Sequence, residues 1–560
     1  MKQHIKTLGL LLVSLLALAA CKVEYIPEGN DQQAPFETMQ DVKWMREAMF
    51  ETLRGAESPS NLFKGDYQAD LYNLVNKRDN GAYGKFYDWD EHLMADDDQI
   101  ATYYGSYASL IKDANYFVMR AEEFLANEEL AKSLSKDDRV AVQTYIAEAR
   151  TLRALAHYRL MLRFSKRYND ANDGGDLGIV MMKHYDPLFK DTPKARSTQK
   201  EVYTWCLNEL EAAAKDLPTR NAYNDKRMGD IPCYLIDDYA YAVSARILLE
   251  MHRYNDAIEM VEKFIDGYPL AKRAVADDPK NNPRDPQAFE NIWKYETSTE
   301  IMIRTYANKK VGRVRGILNG MRYIPEALTD GSDAEIAVSV WLPTQYLLDL
   351  YTKAIDTKIA PDQKDYRFQY WFDNGTKRAH GVPVIILDMT PLEGLGNGYY
   401  VYKFSGNPDL DQNPDKHLYS YAHTTHLFDI AEAWLIKAEA QAWSGDVAGA
   451  KATLQELRRS RGLGDELKAN SEAEIKEAVL NERTREMVGM GTRMDDLKRC
   501  KVDLDRRGKE PQPQLVAKDG ALHENGLDLN RKYTDKMFIW EFPLQDRFAN
   551  KELVSNWGSN

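Results

Sequence analysis

The chain has 560 residues and a formal net charge of −13, from 87 Asp and Glu against 74 Lys and Arg. A nucleic-acid binder carries a basic face, so this acidic balance sets that class aside. Four cysteines with no close spacing exclude a disulfide framework and a zinc knuckle.

Residues 1–20 read as a secretory signal. Lys2 and Lys6 make a basic start, and Leu8 to Leu18 is apolar apart from Gly9 and Ser14. This run is shorter than the ~20 apolar residues a spanning helix needs. Leu18-Ala19-Ala20 leads into Cys21 and resembles a lipobox, so Cys21 is expected to carry lipid and hold the mature body on a membrane. Several acyl chains make such an anchor stable, at about 0.8 kcal/mol per buried methylene. The alternative is an ordinary signal with a chance Cys at the cut. Residues 21–36, polar with Pro27, Gly29 and Pro35, read as a tether.

Beyond the tether the pattern is mainly helical. Apolar residues recur at three and four positions in 37–54, 105–126, 139–164, 199–216, 235–251, 254–266, 343–353, 425–444, 446–461 and 472–489. Segments 292–296, 399–404 and 537–542 alternate or carry aromatics like short strands. Cys206 lies at helical spacing from Val202 and Leu210 and reads as a core residue. Ala245 and Ala257 stand twelve apart, as do Ala438 and Ala450, each pair followed by larger apolar residues. Small residues so placed let two helices cross closely, the logic of a tetratricopeptide-type hairpin. The stretches 139–164 and 199–216 are a third candidate pair. Between the helical blocks, 55–104, 270–342 and 356–424 are rich in Gly, Asp, Asn and aromatics. Loops this long inside a compact chain are usually functional or disordered, and their aromatic content argues for function.

Six segments, in order, resemble the SusD/RagB family of Bacteroidetes outer membranes. Tyr107, Ile111, Ala114 and Asn115 are similar to its early Y-x-x-x-I-x-x-A-N helix, and Glu148 to Leu155 to its E-A-x-F-L-R-A-L segment. Thr198 to Pro218 resembles the next helix, and Ala431 to Ala440 the A-E-x-Y-L-x-x-A-E-A helix. Gly491 to Arg499 resembles the G-x-R-x-x-D-L-x-R signature, and Phe542-Pro543-Leu544 with Asn550, Leu553 and Asn556 the closing segment. Thr151, Met494 and Leu544 depart from the pattern without removing a chemical group. The resemblance implies a mainly α, tetratricopeptide-like scaffold with long irregular loop insertions and a few short strands. It implies one domain over 37–560, with scaffold at about 37–270 and 425–560 and a ligand face from 55–104 and 270–424. It also implies a surface-exposed, non-enzymatic lipoprotein. Such a protein captures an oligosaccharide, or in some members a peptide, for a SusC-like TonB-dependent transporter. No cofactor is implied.

Flat indole and phenol rings match the C–H faces of sugars and lose little entropy on binding, while polar neighbours fix orientation. The expected ligand contacts are Tyr83, Tyr87 and Trp89 with Asp90 (or Asp88) in the early insertion. Trp341, Tyr370 and Trp371 are expected in the central one. Residues 366–372, if extended, turn alternate rings to one side. Each of these rings has a competing reading as loop-to-scaffold packing. Trp205, Trp434 and Trp443 fall on helices and are assigned to the core or helix contacts. The charges Arg483, Arg485, Glu486, Arg493 and Asp496 read as an ion-pair and capping network and not as a catalytic site. Asp409, Asp411, Asn413 and Asp415 begin like a calcium loop, but Pro414 and Ser420 occupy the Gly and Glu positions, so no metal is expected. Asp96 to Asp98 is read as an exposed acidic run or a cation contact. There is no H-E-x-x-H, G-x-S-x-G or P-loop. A surface glycosidase using two distant carboxylates and a helical assembly scaffold are the competing functional classes.

Overall fold

In the computed structural model the described residues are 35–74, 84–186, 190, 193–224, 229–315, 320–324, 334–338, 341–353, 365–373, 384–385, 399–404, 406–410, 422–464, 467–513, 522–523 and 526–558. Cys21, Tyr83 and most of the 409–415 acidic turn lie outside them. The main helices are α1 (Met39–Ala56), α2 (Asp98–Ala126), α3 (Lys136–Phe164), α4 (Gln199–Ala214), α5 (Asp237–Glu250) and α6 (Tyr254–Glu262). They continue with α7 (Gln345–Thr352), α8 (Tyr366–Trp371), α9 (Ile430–Trp443), α10 (Val447–Ser460), α11 (Glu472–Glu486) and α12 (Arg493–Arg499). No helix among the described residues is long and apolar enough to cross a membrane.

Local sequence sets the helix starts. Thr38, Ser135, Thr198 and Ser471 each close a capping box with an acid three residues on, satisfying two otherwise orphaned amides. Asp97 caps α2 by accepting from the Gln99 and Ile100 amides and also pairs with Lys85. Asp97 is buried and committed to structure, which corrects the exposed reading for that residue, while Asp96 and Asp98 are exposed.

Helix α3 is the axis of the first half. It packs against α2 on one side and α4 on another, and nearly every residue from Ile146 to Phe164 is buried. A helix covered all round needs no single apolar stripe. The paired stretches 139–164 and 199–216 thus form a packed pair. Helices α5 and α6 form the second hairpin, and α9 and α10 the third. α6 packs on α9, and α11 closes the stack. Ala245, Ala257, Ala438 and Ala450 are all fully buried at the crossings, where a larger side chain would hold the axes apart. Cys206, Cys233 and Cys500 are free thiols.

The strands are short and stitch loops to scaffold. Tyr72–Leu74 pairs antiparallel with Trp341–Pro343, placing Leu74 opposite Trp341. Ile301–Arg304 pairs with His426–Asp429, and Phe372–Asp373 with Tyr400–Val401. Gly320–Ile324, Ala334–Val338 and Val384–Ile385 form a three-stranded sheet. Two expected strands are replaced by single 3-10 turns, at Phe289–Ile292 and Lys536–Phe538. Residues 366–371 are helical, not extended, because Asp365 caps the segment by accepting from the Arg367 amide.

Candidate ligand-binding face

The early insertion is locked to the C-terminal half by charge. Arg493 makes a bidentate pair with buried Asp70 (2.8 and 2.9 Å), and Lys509 also reaches that carboxylate. The two cations hold the Asp70 carboxyl far below its usual range against the cost of burial. Asp66 accepts from the amides of Gly491 and Arg493. Gly491 has φ +74°, and a Cβ there would meet the Leu62 carbonyl oxygen at 1.9 Å, so only glycine permits this approach.

Behind the face runs a second buried network. Glu482 accepts from Arg367 (2.6 Å), Arg458 (2.7 Å) and Arg485 (2.9 Å), while Glu486 accepts from Arg367 and Arg461. Burial raises the Glu482 carboxyl, but the three guanidiniums overcome it and hold the group ionised. Arg483 pairs with Asp496 at 3.0 Å. These charges are internal and paired with one another, which matches the structural reading of the signature.

The predicted rings occupy varied positions. Trp341 is fully buried and stacks on Tyr67 (4.9 Å between centroids, 11° between planes), with Tyr87 edge-on at 5.9 Å. Tyr87 is covered by the Arg506 guanidinium at 3.9 Å. Trp89 packs on Phe538 and donates from Nε1 to the Gln68 carbonyl at 2.9 Å. Trp371 lies against Phe289 and has the Lys403 ammonium 4.2 Å from its centroid. The expectation that Tyr87, Trp89, Trp341 and Trp371 present open faces is therefore corrected. Each is buried among described neighbours, because the insertions need aromatic bulk to cover the scaffold. Asp90 is half-buried at the insertion's edge. Tyr370 is half-exposed beside Phe289, with half-exposed Tyr366 next to it. Tyr399 and Tyr402 are likewise half-exposed on the following strand segment.

Where the early insertion meets the central segments there is a small recess of about 30 Å³, lined by Phe63, Trp293, Phe404, His423, Thr425 and His426. A volume this small suits water and not a sugar. His426 stacks on Trp293 (4.1 Å, 13°) and lies between Asp429 and Glu296. Burial opposes its charge, yet the two carboxylates raise it to about 9. Glu296 is held ionised in turn by His426 and Arg304. Beneath them Lys403 is buried, lowered to about 8 by desolvation, and donates to the carbonyls of Glu486 and Val488. Each charge in this corner has a partner, so the arrangement holds shape and presents no free acid–base pair. Among the described residues no group of three or more His, Cys, Asp or Glu is placed to hold a metal.

A larger opening lies elsewhere. Trp205 of α4, assigned from sequence to the core or to helix contacts, is half-buried and lines a cleft of about 740 Å³ with Lys183, His184 and Asp186. Its position on a helix hides it in the sequence, because a Trp at helical spacing reads as core.

Stacked helical hairpins carrying aromatic-rich loops, tied together by internal ion pairs, define a mainly α, tetratricopeptide-like scaffold. The SusD family model matches residues 279–558, and the chain belongs to the SusD family. Its fold is similar to a SusD superfamily protein from Bacteroides thetaiotaomicron (TM-score 0.66, 18% identity, covering 93% of this chain and 99% of that one). It is also similar to a putative sugar binding protein from Bacteroides vulgatus (TM-score 0.63, 18% identity, 94% and 100%). A third similar structure is a laminarin binding SusD-like protein (TM-score 0.61, 16% identity, 94% and 100%). No curated protein matches the chain.

Proposed function

We propose that this protein is a cell-surface, lipid-anchored nutrient-binding protein without catalysis of its own. It captures an oligosaccharide on its loop-rich face and passes it to a SusC-like TonB-dependent transporter in the outer membrane. The observation that carries this reading is membership of the SusD family through residues 279–558. The names of two similar structures, a putative sugar binding protein and a laminarin binding protein, support carbohydrate as the ligand class. The lipobox-like Leu18-Ala19-Ala20-Cys21 supports the anchor. Of the aromatic residues expected to touch ligand, Tyr370 is the described one that keeps an accessible ring. Tyr366, Tyr399 and Tyr402 extend the set with rings whose faces suit sugar C–H surfaces. The partner is the reading that the family implies.

The mature chain should be retarded in native gels containing its polysaccharide, and Tyr370→Ala should reduce that retardation several-fold while leaving the melting temperature within a few degrees. Trp341→Ala serves as the contrast, since removing a fully buried Trp costs about 3–5 kcal/mol of stability and should lower the melting temperature markedly. Calorimetric heat from peptides with no retardation by any glycan would move the ligand class to peptide. Release of reducing ends from glycans would overturn the non-catalytic reading.

A further inference from the structure

We propose that the Trp205 cleft is a separate carbohydrate site, built to take a short neutral oligosaccharide on the helical-hairpin side of the molecule. This goes beyond the loop-face reading and stands without it.

Size is the first reason. The cleft measures about 740 Å³, against about 30 Å³ for the recess beside Trp293, and ligand sites commonly occupy ~300–1,000 Å³. The second is how Trp205 is held. His157 meets the indole edge-on at 4.8 Å, and the Arg153 guanidinium lies 5.5 Å from its centroid. Arg153 is itself fixed by Glu209 (2.8 Å), Asn115 (3.1 Å) and the Lys183 carbonyl (3.3 Å). The ring is immobilised before any ligand arrives, so stacking on its remaining face loses little conformational entropy.

Both walls are also preformed. The 181–186 wall is pinned where the Met182 amide donates to His157 Nε2 (3.2 Å) and the Asn115 amide donates to the carbonyls of Met182 and His184. The opposite wall is the outward face of α4, where Lys200, Glu201, Thr204 and Asn208 recur at helical spacing. Thr204 and Asn208 are exposed, so a hydroxyl and an amide stand beside the indole with both donor and acceptor capacity.

Charge selects the ligand class. The lining carries two cations, Lys183 and Lys200, and two anions, Asp186 and Glu201. Lys200 is already paired with Asp173, and Glu201 is occupied by the α4 cap. The charged lining residues balance in number, so the cleft is not the cation-dominated kind that suits a phosphate or an acidic sugar. An aromatic floor with neutral hydroxyl and amide groups at its edge fits a polyol ring.

The test is titration of the mature chain with short neutral gluco-, manno- and xylo-oligosaccharides, followed by calorimetry and tryptophan fluorescence. One of these should bind, and Trp205→Ala should weaken it at least about ten-fold, as removal of a central Trp anchor does. Asn208→Ala and Thr204→Ala, both at exposed positions that do not support the fold, should each weaken it several-fold, which keeps the test valid if Trp205→Ala melts early. Sugar still held by Tyr370→Ala but released by Trp205→Ala assigns binding to the cleft. The reverse pattern overturns the cleft site and leaves the loop-face reading intact. Silence from wild type across the whole panel, or binding only of charged sugars or peptides, also overturns it.

Discussion

His157 shows how much one buried side chain can decide. Burial lowers its pKa to about 4, so it is neutral at physiological pH, and its two nitrogens do different jobs. Nδ1 donates to the Arg153 carbonyl at 2.7 Å and Nε2 accepts from the Met182 amide. The folded pKa lies below the ordinary imidazole value of about 6.5, so the unfolded chain binds the extra proton first. The contribution is complete above about 6.5 and is lost as pH falls toward 4, where about 3 kcal/mol has gone. Urea midpoints at pH 7 and pH 4.5 should therefore separate more for wild type than for His157→Gln. An equal separation in both would show that His157 carries no such linkage. In the sequence this histidine was one apolar-flanked residue on a helix. Only the meeting of α3 with the 181–186 wall gave its nitrogens partners.

At the scale of elements, the alanine spacing was the informative signal. Ala438 on α9 and Ala450 on α10 were picked out by their separation of twelve, and both are fully buried where the two helices cross. Ala438→Leu should cost about 1–3 kcal/mol through overpacking, read as a lower denaturant midpoint with an unchanged slope. A surface control such as Lys451→Leu should not. An unmoved midpoint in Ala438→Leu would mean that the crossing has slack. The short elements were less legible. Residues 366–371 carry an aromatic alternation that fits a strand, yet they form a helix. Arg367 inside that turn binds Asp365, Glu482 and Glu486. A charge network reaching across more than a hundred residues overrode the local pattern.

For the whole molecule, the question is what joins the early insertion to the rest. The chain closes this gap with Asp66 and Asp70 on one side and Gly491 and Arg493 on the other, over four hundred residues apart in sequence. Arg493→Ala leaves Asp70 buried with Lys509 as its remaining cation, a loss of about 3–5 kcal/mol for a broken buried pair. It should expose the insertion to limited proteolysis near residues 59–94 well before the hairpin stack is cut. Simultaneous loss of all fragments would instead show that insertion and scaffold unfold as one unit.

The sequence by itself determined the helical scaffold, its hairpins and the family. Those depend on periodicity, small-residue spacing and motif order, which are local or nearly so. Tertiary structure alone decided which aromatic rings remain accessible. Trp341 and Trp89 sit in loop-like sequence and are buried, while Trp205 sits at a helical position and opens onto the cleft. Exposure is the result of contacts made by residues far away in the chain, such as Tyr67 with Trp341, Phe538 with Trp89, and Arg153 beneath Trp205. No window of neighbouring residues contains that information.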